Sequence, residues 1–243
     1  MTPSEDNCPW LPPDFEPLEM LADGTRLGRD RYGANGHGRR TLIKRIWESL
    51  GNHWKPPNGG HGFSLIEVGS WAGGNALQIS EGVNYLDWIY CVDTWAGTPA
   101  RNGADSTTVI AAAISPDRVY RTFLKNVQKQ LFTRIVPCRG TSEFWASIWP
   151  RQVEVIFIDA DHSYEGVKAD LKGWWPHVRT GGLFCGHDYH LFPGVKQAVD
   201  EWVAAQGLEL LVEEECWFVT KPSDGGIRGW HAMPEPHDSP YGE

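Results

Sequence analysis

The chain has 243 residues with 22 basic and 31 acidic side chains, a formal net charge of −9, and is 41% hydrophobic and 22% charged. That apolar content suits one large α/β domain with a substantial core and is too high for a disordered chain. An acidic surface repels phosphate, which argues against a clamp on duplex nucleic acid; no apolar run reaches membrane-spanning length and no charged-then-apolar leader opens the chain.

The cysteines at positions 8, 91, 138, 185 and 216 form no CxxC pair. Three of them (Cys91, Cys138, Cys185) lie in apolar runs, where Cys acts as a small hydrophobe. An odd count without a secretory signal predicts a reduced, cytoplasmic protein. Most of the 13 Trp residues are expected to be packing residues.

Residues 1–20 hold breakers and few periodic apolar positions and read as an irregular arm. A Gly- and Arg-rich segment follows, through Gly38, and reads as a loop or a cover over a cleft. Residues 41–50 have helical spacing, with Leu42, Ile43, Ile46, Trp47 and Leu50 on one side. PPNGGHG then interrupts the chain. From residue 64, apolar runs near 64–68, 87–92, 134–138, 153–158 and 181–186 are predicted strands with helices between them. Two more runs, 208–212 and 216–220, stand on either side of an acidic turn, close enough for an antiparallel hairpin. Together they predict a doubly wound α/β fold: a mostly parallel seven-stranded sheet covered on both faces. The domain is expected over 61–222, after an arm and cap helix over 1–60 and before a flexible tail over 223–243.

The strand ends carry the chemistry, because ligands of open α/β sheets sit at the carboxyl ends of the strands. The first run ends in Glu67, with Gly69, Gly73 and Gly74 around a turn that leads to a helix near Asn75. This turn has neither the Gly-Lys-Ser/Thr ending of a phosphate loop nor the GxGxxG spacing. Asp93 ends the second run, 20 residues past Gly73; an acid so placed accepts ribose hydroxyls, or caps the next segment. After the third run, Thr141, Ser142 and Glu143 suit an adenine edge or a helix cap equally well. The stretch VEVIFIDADH, 153–162, drives an apolar strand into Asp159, Asp161 and His162. The run before Asp188 ends in LFCGHDYH, on the neighbouring strand. Two acids at adjacent tips repel unless solvated apart or bridged by a cation, for which oxygen ligands favour Mg²⁺, Ca²⁺ or Mn²⁺.

Taken together, these residues resemble the class I S-adenosylmethionine-dependent methyltransferases, and within them the metal-dependent O-methyltransferases. EVGSWAGGN looks like the family's first motif, CVDTW its second and GTSE its adenine segment. FIDADHSYEGVKADLKGWW, followed after five residues by GGLFCGHDYH, is similar to the subgroup with sugar and macrolide O-methyltransferases. The resemblance implies that Glu67, Gly69, Trp71, Gly73 and Asn75 surround the methionine part and ribose of S-adenosylmethionine. It implies that Asp93 holds the ribose hydroxyls and that Ser142 and Glu143 lie by the adenine. Asp159 counts both among the cofactor residues and, with Asp188, as a ligand of Mg²⁺ or another divalent cation. His162 takes the place of a Lys or His general base, and its reference pKa of about 6.5 leaves it free to accept a proton near neutral pH. Two letters depart from the pattern: Tyr189 follows Asp188 where catechol-type members have Asn, and His187 precedes it where macrolide-type members have an acid. Asp161 is left to supply a missing oxygen.

The expected activity is methyl transfer to a hydroxyl of a small molecule such as a sugar, phenol or natural product. No nucleic-acid or membrane partner is expected, and self-association is left open. A nicotinamide-dependent oxidoreductase lacks its GxGxxG here. A non-catalytic cofactor-binding protein is disfavoured by Asp159, His162 and Asp188 occurring together. Methylation of nitrogen or nucleic acid is disfavoured by the charge and by the lack of an Asn/Asp-Pro-Pro-Tyr/Phe loop.

Overall fold

A computed structural model describes residues 37–51, 62–83, 86–96, 116–128 and 133–222. The arm over 1–20, most of the Gly- and Arg-rich segment and of PPNGGHG, Cys8 and the tail over 223–243 lie outside these residues. The strands are β1 (Phe63–Val68), β2 (Leu86–Asp93), β3 (Arg134–Arg139), β4 (Val153–Ile158), β5 (Val178–Gly186), β6 (Leu211–Glu213) and β7 (Cys216–Thr220). The described helices are α1 (His37–Ile46), α2 (Gly74–Gly82), α3 (Pro116–Val127), α4 (Ser142–Ile148), α5 (Tyr164–Trp174) and α6 (Pro193–Gln206).

The seven strands form one sheet in the order β3-β2-β1-β4-β5-β7-β6. The first five are parallel to one another, and β7 runs antiparallel to both β5 and β6. The doubly wound sheet with its terminal hairpin is therefore as the apolar runs predict. Every residue of β1 is buried, and so are all but Glu154 of β4, which is why both read as unbroken apolar runs. Pro137 is accepted in β3 because that strand is the sheet's edge among the described strands.

Side-chain alternation divides the core into two layers. Leu65, Ile89, Val155, Phe157 and Leu183 face Leu42 and Ile46 of α1, Ile79 of α2 and Phe123 of α3. Ile66, Ile156, Phe184 and Val219 face Leu171 and Trp174 of α5 and Val199 of α6. Each fully buried side chain of this size contributes about 1.5–3 kcal/mol. Cys91, Cys138, Cys185 and Cys216 are buried in these layers, as small hydrophobes.

Three boundaries differ from expectation. The first helix starts at His37 and continues as a π-helical turn, Trp47–Gly51, where the Trp47 indole donates to the Gly82 carbonyl at 2.8 Å. β5 starts at Val178, three residues early, because Val178 pairs with Val153. The first hairpin strand shrinks to Leu211–Glu213, whose Glu213 is held by Arg45 of α1. The sheet's order reverses between β1 and β4, and the carboxyl ends there open into the crevice where such folds bind ligands.

Candidate active site

The turn after β1 is shaped by positive φ at Gly69 (91°), Trp71 (45°) and Gly73 (85°). A Cβ on Gly69 would lie 2.0 Å from the Asp159 carbonyl oxygen, so only glycine lets the tips of β1 and β4 meet. Asp93 braces this turn from the tip of β2. Its Oδ2 accepts from the amides of Ser70 (2.9 Å) and Trp71 (2.8 Å), and its Oδ1 from that of Trp95 (2.6 Å). Burial pushes the Asp93 carboxyl up from its ordinary pKa, and the backbone amides pull it back. Asn126 of α3 donates to the Ala72 carbonyl at 2.9 Å. Beneath the turn, Glu67 is buried and accepts from Asn75 Nδ2 at 2.6 Å, while the buried Asn75 Oδ1 has no partner among the described residues. A buried acceptor without a partner is costly, and it fits a ligand that brings a donor.

On the other side of the crevice, the Asp159 amide donates to the Val68 carbonyl at 2.8 Å and the His187 amide to the Ile158 carbonyl at 3.1 Å. The first bond ties the Asp159 tip to β1, and the second ties the Asp188 tip to β4. Asp188 stands at φ 61°, a left-handed conformation that Asp tolerates better than most residues. Ser163 caps α5 by accepting from the Gly166 amide at 3.2 Å, which keeps the 159–163 turn short and returns the His162 ring to the acids. His162 Nε2 lies 2.8 Å from Asp188 Oδ2 and 4.0 Å from Asp159 Oδ1. His187 Nδ1 lies 3.0 Å from the other Asp188 oxygen.

One ligand atom each from Asp159, His162 and Asp188 falls within 4.8 Å of the others. Two carboxylate oxygens and an imidazole nitrogen make a donor set for a divalent cation, with the nitrogen moving the preference from Mg²⁺ toward Mn²⁺ and its neighbours. The electrostatics agree with a site built for positive charge. Burial disfavours the His162 imidazolium, but hydrogen bonds and charge from Asp159 and Asp188 outweigh it and lift the pKa from 6.5 to about 10. Burial raises the Asp188 carboxyl, yet hydrogen bonds from His162 and His187 bring it below its ordinary value.

A family model described as a methyltransferase domain matches residues 66–189, from β1 through the Asp188 turn and just over half of the chain. The chain belongs to that family. The O-methyltransferase NovP has the same fold, with TM-score 0.52 and 22% identity over 81% of each chain. CalS11, a calicheamicin methyltransferase, has TM-score 0.52 and 15% identity over 75% of this chain and 77% of its own. No curated protein matches the chain in sequence. The chain is a methyltransferase by its family and shares the fold of NovP and CalS11.

Within the methyltransferase, several sequence-predicted residues are placed differently from expectation. Asp161 is not in the acid–imidazole group. Its Oδ1 accepts from the Ser163 amide at 2.8 Å, so it shapes the turn into α5. Tyr189, the departure from the catechol-type pattern, is buried and turned away from the cluster. Its hydroxyl meets Asp200 and accepts from Lys196 Nζ at 3.2 Å, both on α6; this position therefore anchors the turn. The Ser142 hydroxyl points inward, donating to Asp170 and accepting from the Trp174 indole at 2.8 Å. Thr141 is the cap of α4, accepting from the Phe144 amide at 3.2 Å, and Glu143 is exposed in the helix's first turn. Sequence reasoning missed Asn126, Trp95 and Asp170; each is a polar or amphipathic letter in an otherwise ordinary segment, given meaning by a partner far along the chain.

Proposed function

We propose that this methyltransferase moves the methyl group of S-adenosylmethionine to a hydroxyl of a small molecule, such as a sugar, phenol or natural product, with a divalent cation at Asp159, His162 and Asp188. The single observation that carries this reading is the convergence of those three donors at the tips of β4 and β5. NovP, by name an O-methyltransferase with the same fold, supports it. The net charge of −9 supports a small acceptor over nucleic acid, and the four buried cysteines support a reducing, cytoplasmic setting.

On this reading Glu67, Gly69, Trp71, Gly73 and Asn75, with Asp93 bracing them, form the wall for the methionine and ribose parts of the donor. Glu143, exposed at the start of α4, stands at the adenine side, while the Ser142 hydroxyl is taken by Asp170 and Trp174. S-adenosylmethionine supplies a methyl group already activated on sulfur, so the protein's task is alignment, which lowers such barriers by about 7–11 kcal/mol. A bound cation supplies Lewis acidity that lowers the acceptor hydroxyl's pKa. Asp159 and Asp188 would hold it through carboxylate oxygens and His162 through a ring nitrogen. An imidazole with a pKa of about 10 keeps its proton at neutral pH and is a poor base. We therefore assign His162 first to the ligand set, where a cation replaces its proton. The proton-acceptor role expected from sequence needs a neutral imidazole, which the hydrogen bonds and charge of Asp159 and Asp188 oppose in the metal-free protein.

A panel of hydroxyl and amine acceptors with methyl-labelled S-adenosylmethionine tests the reaction class. Label on oxygen is expected; label confined to nitrogen overturns it.

A further inference from the structure

We infer that Phe192 is the positioning residue for the cation site, holding His162 and Asp188 in register from the N-cap of α6. This inference rests on the metal reading above and adds a residue to it. The Phe192 ring lies face to face on the His162 imidazole, with centroids 4.2 Å apart and planes 10° from parallel. The same residue's amide donates to the Asp188 carbonyl at 3.2 Å. One side chain and one amide of a single residue thus touch both the imidazole and one of the acids.

The helix behind Phe192 gives it little slack. Phe192 is the N-cap of α6, with Pro193 in the first helical position, and its carbonyl accepts from Val195 (3.0 Å) and Lys196 (3.2 Å). At Gly194 a Cβ would lie 2.7 Å from both the His162 carbonyl oxygen and the Tyr164 amide nitrogen. The start of α6 is therefore pressed against the backbone of the His162 turn, and the Phe-Pro-Gly run at 192–194 sets that distance. A histidine ring rotates about two side-chain bonds. The flat face of Phe192 selects the orientation in which Nε2 points at Asp188 and Asp159. Partners that orient a ligating histidine, most often a hydrogen bond to its other ring nitrogen, typically carry about 10–100-fold in metal affinity, and here the stacked Phe192 ring takes the orienting part.

The test is titration of metal-free protein with Mn²⁺, followed by the electron paramagnetic resonance signal of the free ion. Wild type, Phe192→Leu and Phe192→Tyr are compared, with S-adenosylmethionine affinity measured on each by calorimetry. Leu keeps the bulk without the flat face, and Tyr keeps the face. The expected result is Mn²⁺ affinity about 10-fold or more weaker in Phe192→Leu, restored in Phe192→Tyr, with S-adenosylmethionine affinity unchanged in both. Equal Mn²⁺ affinity in wild type and Phe192→Leu overturns the inference while leaving the metal reading standing. Equal weakening in both variants, with S-adenosylmethionine affinity falling too, makes Phe192 a packing residue and also overturns it. A wild type that takes up no Mn²⁺ overturns the metal reading itself.

Discussion

The indole N–H of Trp95 donates to the Trp71 carbonyl at 2.6 Å, and both residues hold positive φ, 53° and 45°. This bond joins the turns that follow β2 and β1, and Asp93 completes the joint from between them. Strained backbone of this kind persists only where its surroundings over-determine it. Asp93→Ala strands the amides of Ser70, Trp71 and Trp95 at once, each costing about 1–3 kcal/mol if left unsatisfied. The expected outcome is a lower thermal midpoint together with S-adenosylmethionine affinity reduced about 10–100-fold, the equivalent of one lost charge-assisted bond. Calorimetry and thermal melting on one preparation check it. Weakened binding with an unchanged midpoint would show a carboxylate that serves the ligand and not the turn.

Gly69→Ala places a methyl group 2.0 Å from the Asp159 carbonyl at φ 91°. The conformation alone costs about 1–3 kcal/mol, and the overlap forces the tips of β1 and β4 apart. Gly181→Ala is the control, since its φ is 74° and a Cβ there meets nothing within 4 Å. The denaturant midpoint of Gly69→Ala is expected to fall well below that of Gly181→Ala; equal losses would mean that the β1–β4 approach is not tight.

Asp170 sets a pH dependence of stability. Burial is the main cause of its raised pKa, about 7 against 3.8 in an ordinary setting, with the Ser142 hydroxyl bond opposing it. The folded chain therefore keeps a proton that the unfolded chain has released. Asp170's contribution is full below the unfolded value of 3.8, declines as pH rises, and is lost by the time pH passes about 7. Asp170→Asn removes this slope. Relative to wild type, the variant is expected to gain thermal midpoint between about pH 5 and about pH 8, at about 2–4 °C per kcal/mol for a chain of this size. Parallel midpoints at both pH values would place the ionisation of Asp170 elsewhere.

Much of this was legible in the letters. Glu67, Asp93, Asp159 and Asp188 each end an apolar run, and a run buried on both faces has few ways to end at a sheet's carboxyl edge. What the letters hid are partnerships across sequence. Tyr189 reads as a broken metal motif until Asp200, 11 residues on, receives its hydroxyl. Ser142 reads as an adenine contact until Asp170, 28 residues on, claims its side chain. His162 reads as a free base until the folded tips put two acids around it. Pattern and period report burial, whereas the direction of a polar side chain depends on neighbours that only the fold supplies.

The central claim, cation-assisted methyl transfer at Asp159, His162 and Asp188, is tested most directly by the rate of methyl transfer in EDTA and after adding back Mg²⁺ or Mn²⁺. Wild type and Asp188→Ala are compared at equal S-adenosylmethionine saturation. Chelation is expected to abolish transfer, and the added cation to restore it in wild type but not in Asp188→Ala. A chelated wild type that keeps its full rate contradicts the claim and shows that the acceptor is activated without a cation.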